Sequence, residues 1–170
     1  RYHLFVALNC PWCHRVTMAR NLLGLRDRIT MDVVFPTRIA EDGPDGPNLW
    51  EFNPGRNATL TGAPLPECTA ETGTGNNYRL VRQIYEAEGS EQRSVPILYD
   101  KDSKRIVSNE SAEIIRMLNS AFDGVGATPG DYWPARLRPE IEKVNERVYD
   151  TVNNGVYKSG FATTQEAYEE

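Results

Sequence analysis

Residues 2–15 read YHLFVALNCPWCHR, an apolar, β-prone run that ends at two cysteines three positions apart. The run over 2–8 predicts a buried strand, and Pro11 suits the first turn of a following helix. Helical spacing of apolar residues continues to about Leu23, and Gly24 is a suitable stop. A second strand over 31–35 completes a strand–helix–strand unit. The sequence therefore predicts an α/β domain in which Cys10 lies between the first strand and the helix.

The pattern continues along the chain and then changes. Residues 37–75 are dense in glycine and proline, which predicts a long loop. The remaining elements are predicted as a helix over 76–88, strands over 94–99 and 105–108, and a helix over 111–122 that begins at Asn109 or Ser111.

Residues 1–123 form the predicted α/β domain, and a Gly-rich linker over 124–134 follows it. Helical spacing of Ile141, Val144, Val148 and Val152 predicts a helical segment within residues 135–170. The chain opens on Arg1 and stops inside a helical pattern, so we expect a truncated piece of a longer protein.

Composition excludes several classes of protein. Nineteen basic and 24 acidic residues give a net charge of −5, and without a basic run the chain is a poor candidate for nucleic-acid binding. No run approaches the ~18 apolar residues of a membrane span. The chain has three cysteines and no signal segment, which indicates a reducing compartment, the cytoplasm.

Cys10 and Cys13 are the candidate chemical groups. The positive end of a helix lowers the pKa of a thiol there, so Cys10 is expected to be the nucleophile and Cys13, one turn further, to be less exposed. Cys10-x-x-Cys13-His14 also fits haem attachment, which belongs to exported chains. Zinc would need four ligands, and only Cys68 and His3 remain. A glutaredoxin-like dithiol reductase stays open.

Two further features could bind a peptide-like ligand. Val95-Pro96 is either an edge-strand proline or a cis-proline that presents the main chain of Val95. Asn109-Glu110-Ser111 precedes a helix, where first-turn N–H groups bind anions. The Ser111 hydroxyl could hold a carboxylate and Glu110 an ammonium, although simple helix capping explains the same residues.

Together these motifs resemble the glutathione transferase fold, a thioredoxin-like domain followed by an all-α domain. The class they resemble is the glutathionyl-hydroquinone reductases, or Xi class, and the motifs are CPWCHR over 10–15, VPIL over 95–98, NESAEIIRMLN over 109–119 and NNGVYKSGFA over 153–162.

The resemblance implies roles for particular residues. Cys10 matches the catalytic nucleophile, and Tyr157 matches a tyrosine that faces the quinone and exchanges a proton. The residues implied to bind glutathione are Trp50, Gln92, Arg93, Ser94, Val95, Glu110 and Ser111. The chain departs from the family pattern at Leu49, where Gly is frequent, and at Arg93, which lies one place closer to the proline.

The resemblance also implies an activity: glutathione, the co-substrate, reduces glutathionyl-hydroquinones through a Cys10–glutathione mixed disulfide, without a metal. A homodimer is implied for the whole protein, with no nucleic acid or membrane partner. The alternatives are the dithiol reductase that uses Cys10 and Cys13, and a non-catalytic scaffold of the same fold.

Overall fold

A computed structural model describes residues 1–36, 39–40, 48–54, 59–60, 63–64 and 68–169. These residues form two compact units, Arg1–Gly130 and Asp131–Glu170. The predicted loop over 37–75 lies partly outside the described residues. Its described parts include two short antiparallel strand pairs, β3 (Ile39–Ala40) with β4 (Asn48–Leu49) and β5 (Thr59–Leu60) with β6 (Ala63–Pro64).

A mixed four-stranded sheet forms the centre of the first unit. Its strands are β1 (Tyr2–Val6), β2 (Ile29–Val33), β7 (Ile97–Asp100) and β8 (Arg105–Ser108), in the order β2-β1-β7-β8. Strand β1 runs parallel to β2 and antiparallel to β7, and β7 forms a hairpin with β8. Both faces of β1 are buried, which is why its sequence, apart from His3, is apolar at successive positions rather than alternating.

Three helices belong to this sheet: α1 (Pro11–Leu22), α2 (Val81–Glu86) and α3 (Ser111–Ser120). The order of strands and helices confirms the thioredoxin-like α/β domain expected from the sequence. Gly24 ends α1 in the left-handed conformation with φ +65°. A side chain there would also meet the hydroxyl oxygen of Thr128 at 2.5 Å, so the position requires glycine.

The predicted helix over 76–88 is wrong in its first turn, because α2 begins only at Val81. Asn77 is left-handed with φ 55°, and the Arg79 carbonyl accepts a hydrogen bond from the Phe52 N–H at 2.8 Å. Leu80 forms a bridge with Glu51. Pairing with residues 51–52 therefore holds Arg79 and Leu80 in non-helical conformations.

The predicted N-cap of α3 is also wrong, because the cap is Glu110 and its side chain makes no capping hydrogen bond. Both expected capping side chains bond elsewhere: Asn109 donates to the Ser94 hydroxyl at 3.2 Å, and Ser111 accepts from Arg15. The Ser108 hydroxyl accepts the Glu110 N–H at 3.0 Å instead.

The second unit is helical. It contains a 3₁₀ turn at Ala135–Leu137, a π-helical turn at Tyr149–Asn153 and the helices α4 (Arg138–Val148), α5 (Gly155–Phe161) and α6 (Gln165–Glu169). Across the described ranges of the whole chain, no helix has both the length and the apolar character that crossing a membrane requires.

A polar cluster is buried beside the core of the first unit. The Asp32 carboxylate lies 3.0 Å from Nε2 of His3 and accepts hydrogen bonds from the Thr72 N–H and hydroxyl and from the Gly73 N–H. Burial by itself raises the pKa of Asp32, but the hydrogen bonds from His3 and Thr72 outweigh it, so its pKa lies below the usual value. This cluster attaches residues 72–73 to β1 and β2.

Replacing Gly73 with Ala should destabilise the first unit. The new Cβ would lie 2.4 Å from Cδ2 of His3 and 2.5 Å from Cζ of Phe5, both of which are buried. We expect urea denaturation to show a loss of about 1–3 kcal/mol. Gly124→Ala is the control, since nothing lies within 4 Å of its Cβ and its cost should stay within about 0.5 kcal/mol. Equal costs for the two variants would contradict the packing argument.

Asp32 should make stability depend on pH in the acid range. Because its pKa is lower in the folded chain than in the unfolded one, its contribution is complete above about pH 4 and disappears as the pH falls through the folded value. Asp32→Asn should lose about 1–3 kcal/mol at pH 7 and show a smaller further loss between pH 5 and pH 2.5 than the parent chain. Urea titrations at several pH values measure this, with the exposed Asp27→Asn as the control. A parallel pH profile in Asp32→Asn and the parent would contradict it.

Candidate active site

Cys10 is the N-cap of α1, four residues after Val6, the last residue of the buried strand β1. Its backbone is extended (φ −90°, ψ 121°), its N–H donates to the Ala7 carbonyl at 3.1 Å, and its carbonyl accepts the His14 N–H at 3.0 Å. The side chain is partly exposed. The thiol thus lies at the positive end of the helix, where a thiolate is stabilised.

Cys13 lies one turn further along α1 and is completely buried. Its sulfur accepts the Ala7 N–H at 3.4 Å. Burial raises the pKa of the Cys13 thiol strongly, and the hydrogen bond and charge of Cys10 raise it further. Cys13 is therefore held as a protonated thiol, and Cys10 is the partly exposed thiol of the pair.

The Val95-Pro96 peptide bond is cis, so the cis alternative considered for this dipeptide is the one the structure has. Sγ of Cys10 lies 3.8 Å from the Val95 carbonyl oxygen. The two motifs, 85 residues apart in sequence, thus meet at one point. The main-chain carbonyl of Val95 and the thiol of Cys10 therefore lie side by side.

The segment before the cis-proline is held by side-chain hydrogen bonds. The Tyr85 hydroxyl, from α2, lies 3.0 Å from the Ser94 carbonyl oxygen, to which it donates, and 3.2 Å from the Ser94 hydroxyl. Asn109 donates to the Ser94 hydroxyl and to the side-chain carbonyl of Gln92. Burial raises the pKa of Tyr85, so its phenol stays a donor. Gln92 and Ser94 are exposed at this segment, as is Arg93.

Ser111 is the first residue of α3 and is buried, while Glu110 before it is exposed. The Ser111 hydroxyl accepts two hydrogen bonds from the Arg15 guanidinium, from Nε at 2.9 Å and from Nη2 at 2.6 Å. The N–H groups of the first helical turn have no acceptor within the helix. The arrangement suits an anion at this end of α3.

Trp50 and Tyr157 differ from the other predicted residues in their surroundings. Trp50 packs in the core with 8% of its surface exposed, and its carbonyl accepts the Val81 N–H at 3.1 Å. Tyr157 belongs to the second unit, on α5, where its ring stacks on Phe161 with 6.2 Å between centroids. Their predicted contacts with glutathione and a quinone stay predictions.

A sequence profile of the glutathione S-transferase N-terminal domain matches residues 9–121, about two thirds of the chain. The chain belongs to the glutathione S-transferase family. It is 48% identical over 173 residues to a glutathionyl-hydroquinone reductase of Sphingobium chlorophenolicum, and 46% identical to one of Escherichia coli K-12. These alignments cover 100% of the chain but 49% and 47% of the two relatives, so the chain spans about half their length.

Solved structures agree with this assignment to the glutathione transferases. A glutathione-bound glutathione transferase homologue from Escherichia coli K-12 superposes with a TM-score of 0.84 at 44% identity. The Xi glutathione transferase of Phanerochaete chrysosporium gives 0.81 at 43%. Each comparison covers 99% of this chain and about half of the other, 50% and 53%. The resemblance to the Xi class and its reductases is confirmed.

Two polar residues of this glutathione transferase domain were not predicted as site residues. Tyr85 lies within the predicted helix over 76–88 with no role assigned to it, and Arg15 appears only within the CPWCHR motif. A tyrosine at a core position needs a partner for its hydroxyl, and that requirement is a signal for a polar contact. Trp12 and Arg15, three positions apart on one helix, are neighbours on its surface, which is a weaker signal.

Tyr85→Phe should weaken the hold on the segment before the cis-proline. It removes the donor to the Ser94 carbonyl, and we expect a loss of about 0.5–1.5 kcal/mol in the free energy of unfolding. Hydrogen exchange should also be faster at residues 92–95. Tyr78→Phe is the control, because the Tyr78 hydroxyl accepts a hydrogen bond from the exposed Asn76 side chain and has no recorded bond to residues 92–95. Unchanged stability and exchange in Tyr85→Phe would contradict a role for this hydroxyl.

Proposed function

We propose that the protein is a glutathione-dependent oxidoreductase that removes glutathione from glutathionyl-hydroquinones. The observation that carries the proposal is the position of Cys10, at the N-terminus of α1 and 3.8 Å from the carbonyl oxygen of Val95 before cis-Pro96. Relatives of about 46–48% identity are named glutathionyl-hydroquinone reductases, which supports the same substrate class here.

Glutathione binding supplies the orientation. Glutathione is a tripeptide, so its main chain can pair with the main chain of Val95, beside the Cys10 sulfur. Its γ-glutamyl end carries a carboxylate and an ammonium together. In the proposal the carboxylate binds at Ser111 and the first turn of α3, and the ammonium binds Glu110. Trp50, Gln92, Arg93 and Ser94 complete the proposed contacts.

The proposed reaction has two steps. The Cys10 thiolate attacks the glutathionyl sulfur, a sulfur–sulfur bond forms, and the carbon–sulfur bond to the ring breaks. The ring carbon takes the electron pair and a proton, which gives the hydroquinone, and Tyr157 is the proposed proton donor. A second glutathione thiolate then attacks the Cys10–glutathione disulfide, which yields oxidised glutathione and restores the Cys10 thiolate. The ring is reduced and glutathione is oxidised, without a metal.

The setting of the reaction is part of the same proposal. The thiol of Cys10 must be kept reduced between cycles, which fits the cytoplasm. None of the three cysteines, Cys10, Cys13 and Cys68, forms a disulfide. A homodimer is proposed for the whole protein, from the resemblance.

The two cysteines should differ in what they contribute. Cys10→Ser should abolish reduction of a glutathionyl-hydroquinone, because an alcohol at that position is neither ionised nor a nucleophile toward sulfur. Cys13→Ser should keep turnover within about tenfold of the parent, since it retains a hydrogen-bond donor toward Cys10. Oxidised glutathione and hydroquinone, measured in parallel, report the activity. Loss of turnover in Cys13→Ser together with activity in Cys10→Ser would refute the mechanism.

The second candidate is a dithiol disulfide reductase, favoured by the hydrogen bond between the Cys13 thiol and Cys10. In that case both thiols are required, and oxidised glutathione should leave a Cys10–Cys13 disulfide. Peptide mass spectrometry separates the two functions, because the monothiol reaction leaves one glutathione on Cys10. A titration of Cys10 with iodoacetamide tests the non-catalytic scaffold, for which its pKa would be close to ~8.5.

A further inference from the structure

Arg15 joins the helix of the reactive cysteine to the helix of the anion site. It lies on α1, five residues after Cys10, and its side chain is partly buried. Its Nε and Nη2 donate to the Ser111 hydroxyl oxygen at 2.9 and 2.6 Å. Its guanidinium carbon lies 4.9 Å from the centroid of the Trp12 ring. One face of the guanidinium therefore packs on Trp12, while its edge donates hydrogen bonds to Ser111 of α3.

These two bonds restrict what the Ser111 hydroxyl can do. A serine hydroxyl has one hydrogen and two lone pairs, and Arg15 occupies both lone pairs. The hydroxyl can then act toward a ligand only as a donor. It lies 4% exposed at the first position of α3, with the positive end of the helix on one side and a guanidinium on the other. A buried donor in this setting selects an anion.

We propose that Arg15 is a positioning residue for the α-carboxylate of the γ-glutamyl group of glutathione. It holds the Ser111 hydroxyl as a donor toward that carboxylate and adds positive charge one hydrogen bond away. The inference rests on the proposed function, in which Ser111 binds this end of glutathione. In this inference Arg15 orients the Ser111 hydroxyl toward the carboxylate, and Trp12 holds the guanidinium in the plane from which it bonds Ser111.

The test pairs two forms of the full chain with two ligands in isothermal titration calorimetry under reducing conditions. The forms are the parent and Arg15→Met. The ligands are glutathione and γ-aminobutyryl-cysteinyl-glycine, which lacks only the α-carboxylate. Arg15→Met should weaken glutathione binding about tenfold, the scale of one charge-assisted hydrogen bond, and change binding of the analogue less than about twofold.

Two further variants keep the test specific. Arg15→Lys retains the charge but cannot donate two bonds in one plane, so we expect an intermediate loss of about threefold, again confined to glutathione. It is also the variant to use if Arg15→Met does not fold. Arg26→Met is the matched control. Arg26 is exposed on the loop after α1 and donates to the Asn21 side chain at 2.8 Å, so its loss should leave both affinities unchanged.

The outcomes separate this inference from the function beneath it. An equal loss for both ligands would mean that Arg15 acts only on the fold, and no loss for either would remove it from binding; both overturn the inference. If the parent chain binds both ligands equally, the carboxylate contact of the proposed function is itself wrong, and the inference falls with it. A loss confined to glutathione supports both.

Discussion

Strand β1 is buried on both faces and paired on both edges, with β2 on one side and β7 on the other. A strand held in this way has one register, because a slip by one residue would move every side chain to the opposite face. Its end therefore fixes where the chain enters α1, and Cys10 is the residue at that point. The position of the Cys10 sulfur is thus a consequence of the central strand of the sheet.

The partner of that sulfur depends on the same strand. Strand β7 pairs with β1 through Phe5 and Ile97, and Pro96 immediately precedes Ile97. Because the register of this pair places Ile97 near the end of β1, the Val95 carbonyl comes to lie against Cys10. The hydrogen bonds of Tyr85 and Asn109 then hold the exposed segment before it, which has no strand pairing of its own. Sheet register therefore brings Cys10 and Val95 together, and side-chain hydrogen bonds hold the segment before Val95 in place.

The sequence was sufficient to predict an element where its local pattern agrees with the tertiary structure. The β1–α1 junction, the β7–β8 hairpin and α3 follow from apolar periodicity and from Pro11 and Gly24. It was insufficient where a distant contact decides the local conformation. Residues 77–80 fit a helical pattern, yet Arg79 and Leu80 pair with residues 51–52 instead. Asn109 and Ser111 are good capping residues, yet their side chains bond to Ser94 and Arg15.

The different bonding of Asn109 and Ser111 explains why the proposed binding residues near α3 are harder to predict than Cys10. A cysteine before a helix acts through a local property, the positive helix end, which a sequence displays directly. The donor character of Ser111 depends on Arg15, 96 residues away, and on the packing of α1 beside α3. A hydroxyl in a capping position predicts equally well a cap or a ligand contact. Only the occupied lone pairs distinguish them, and those are a property of the folded chain.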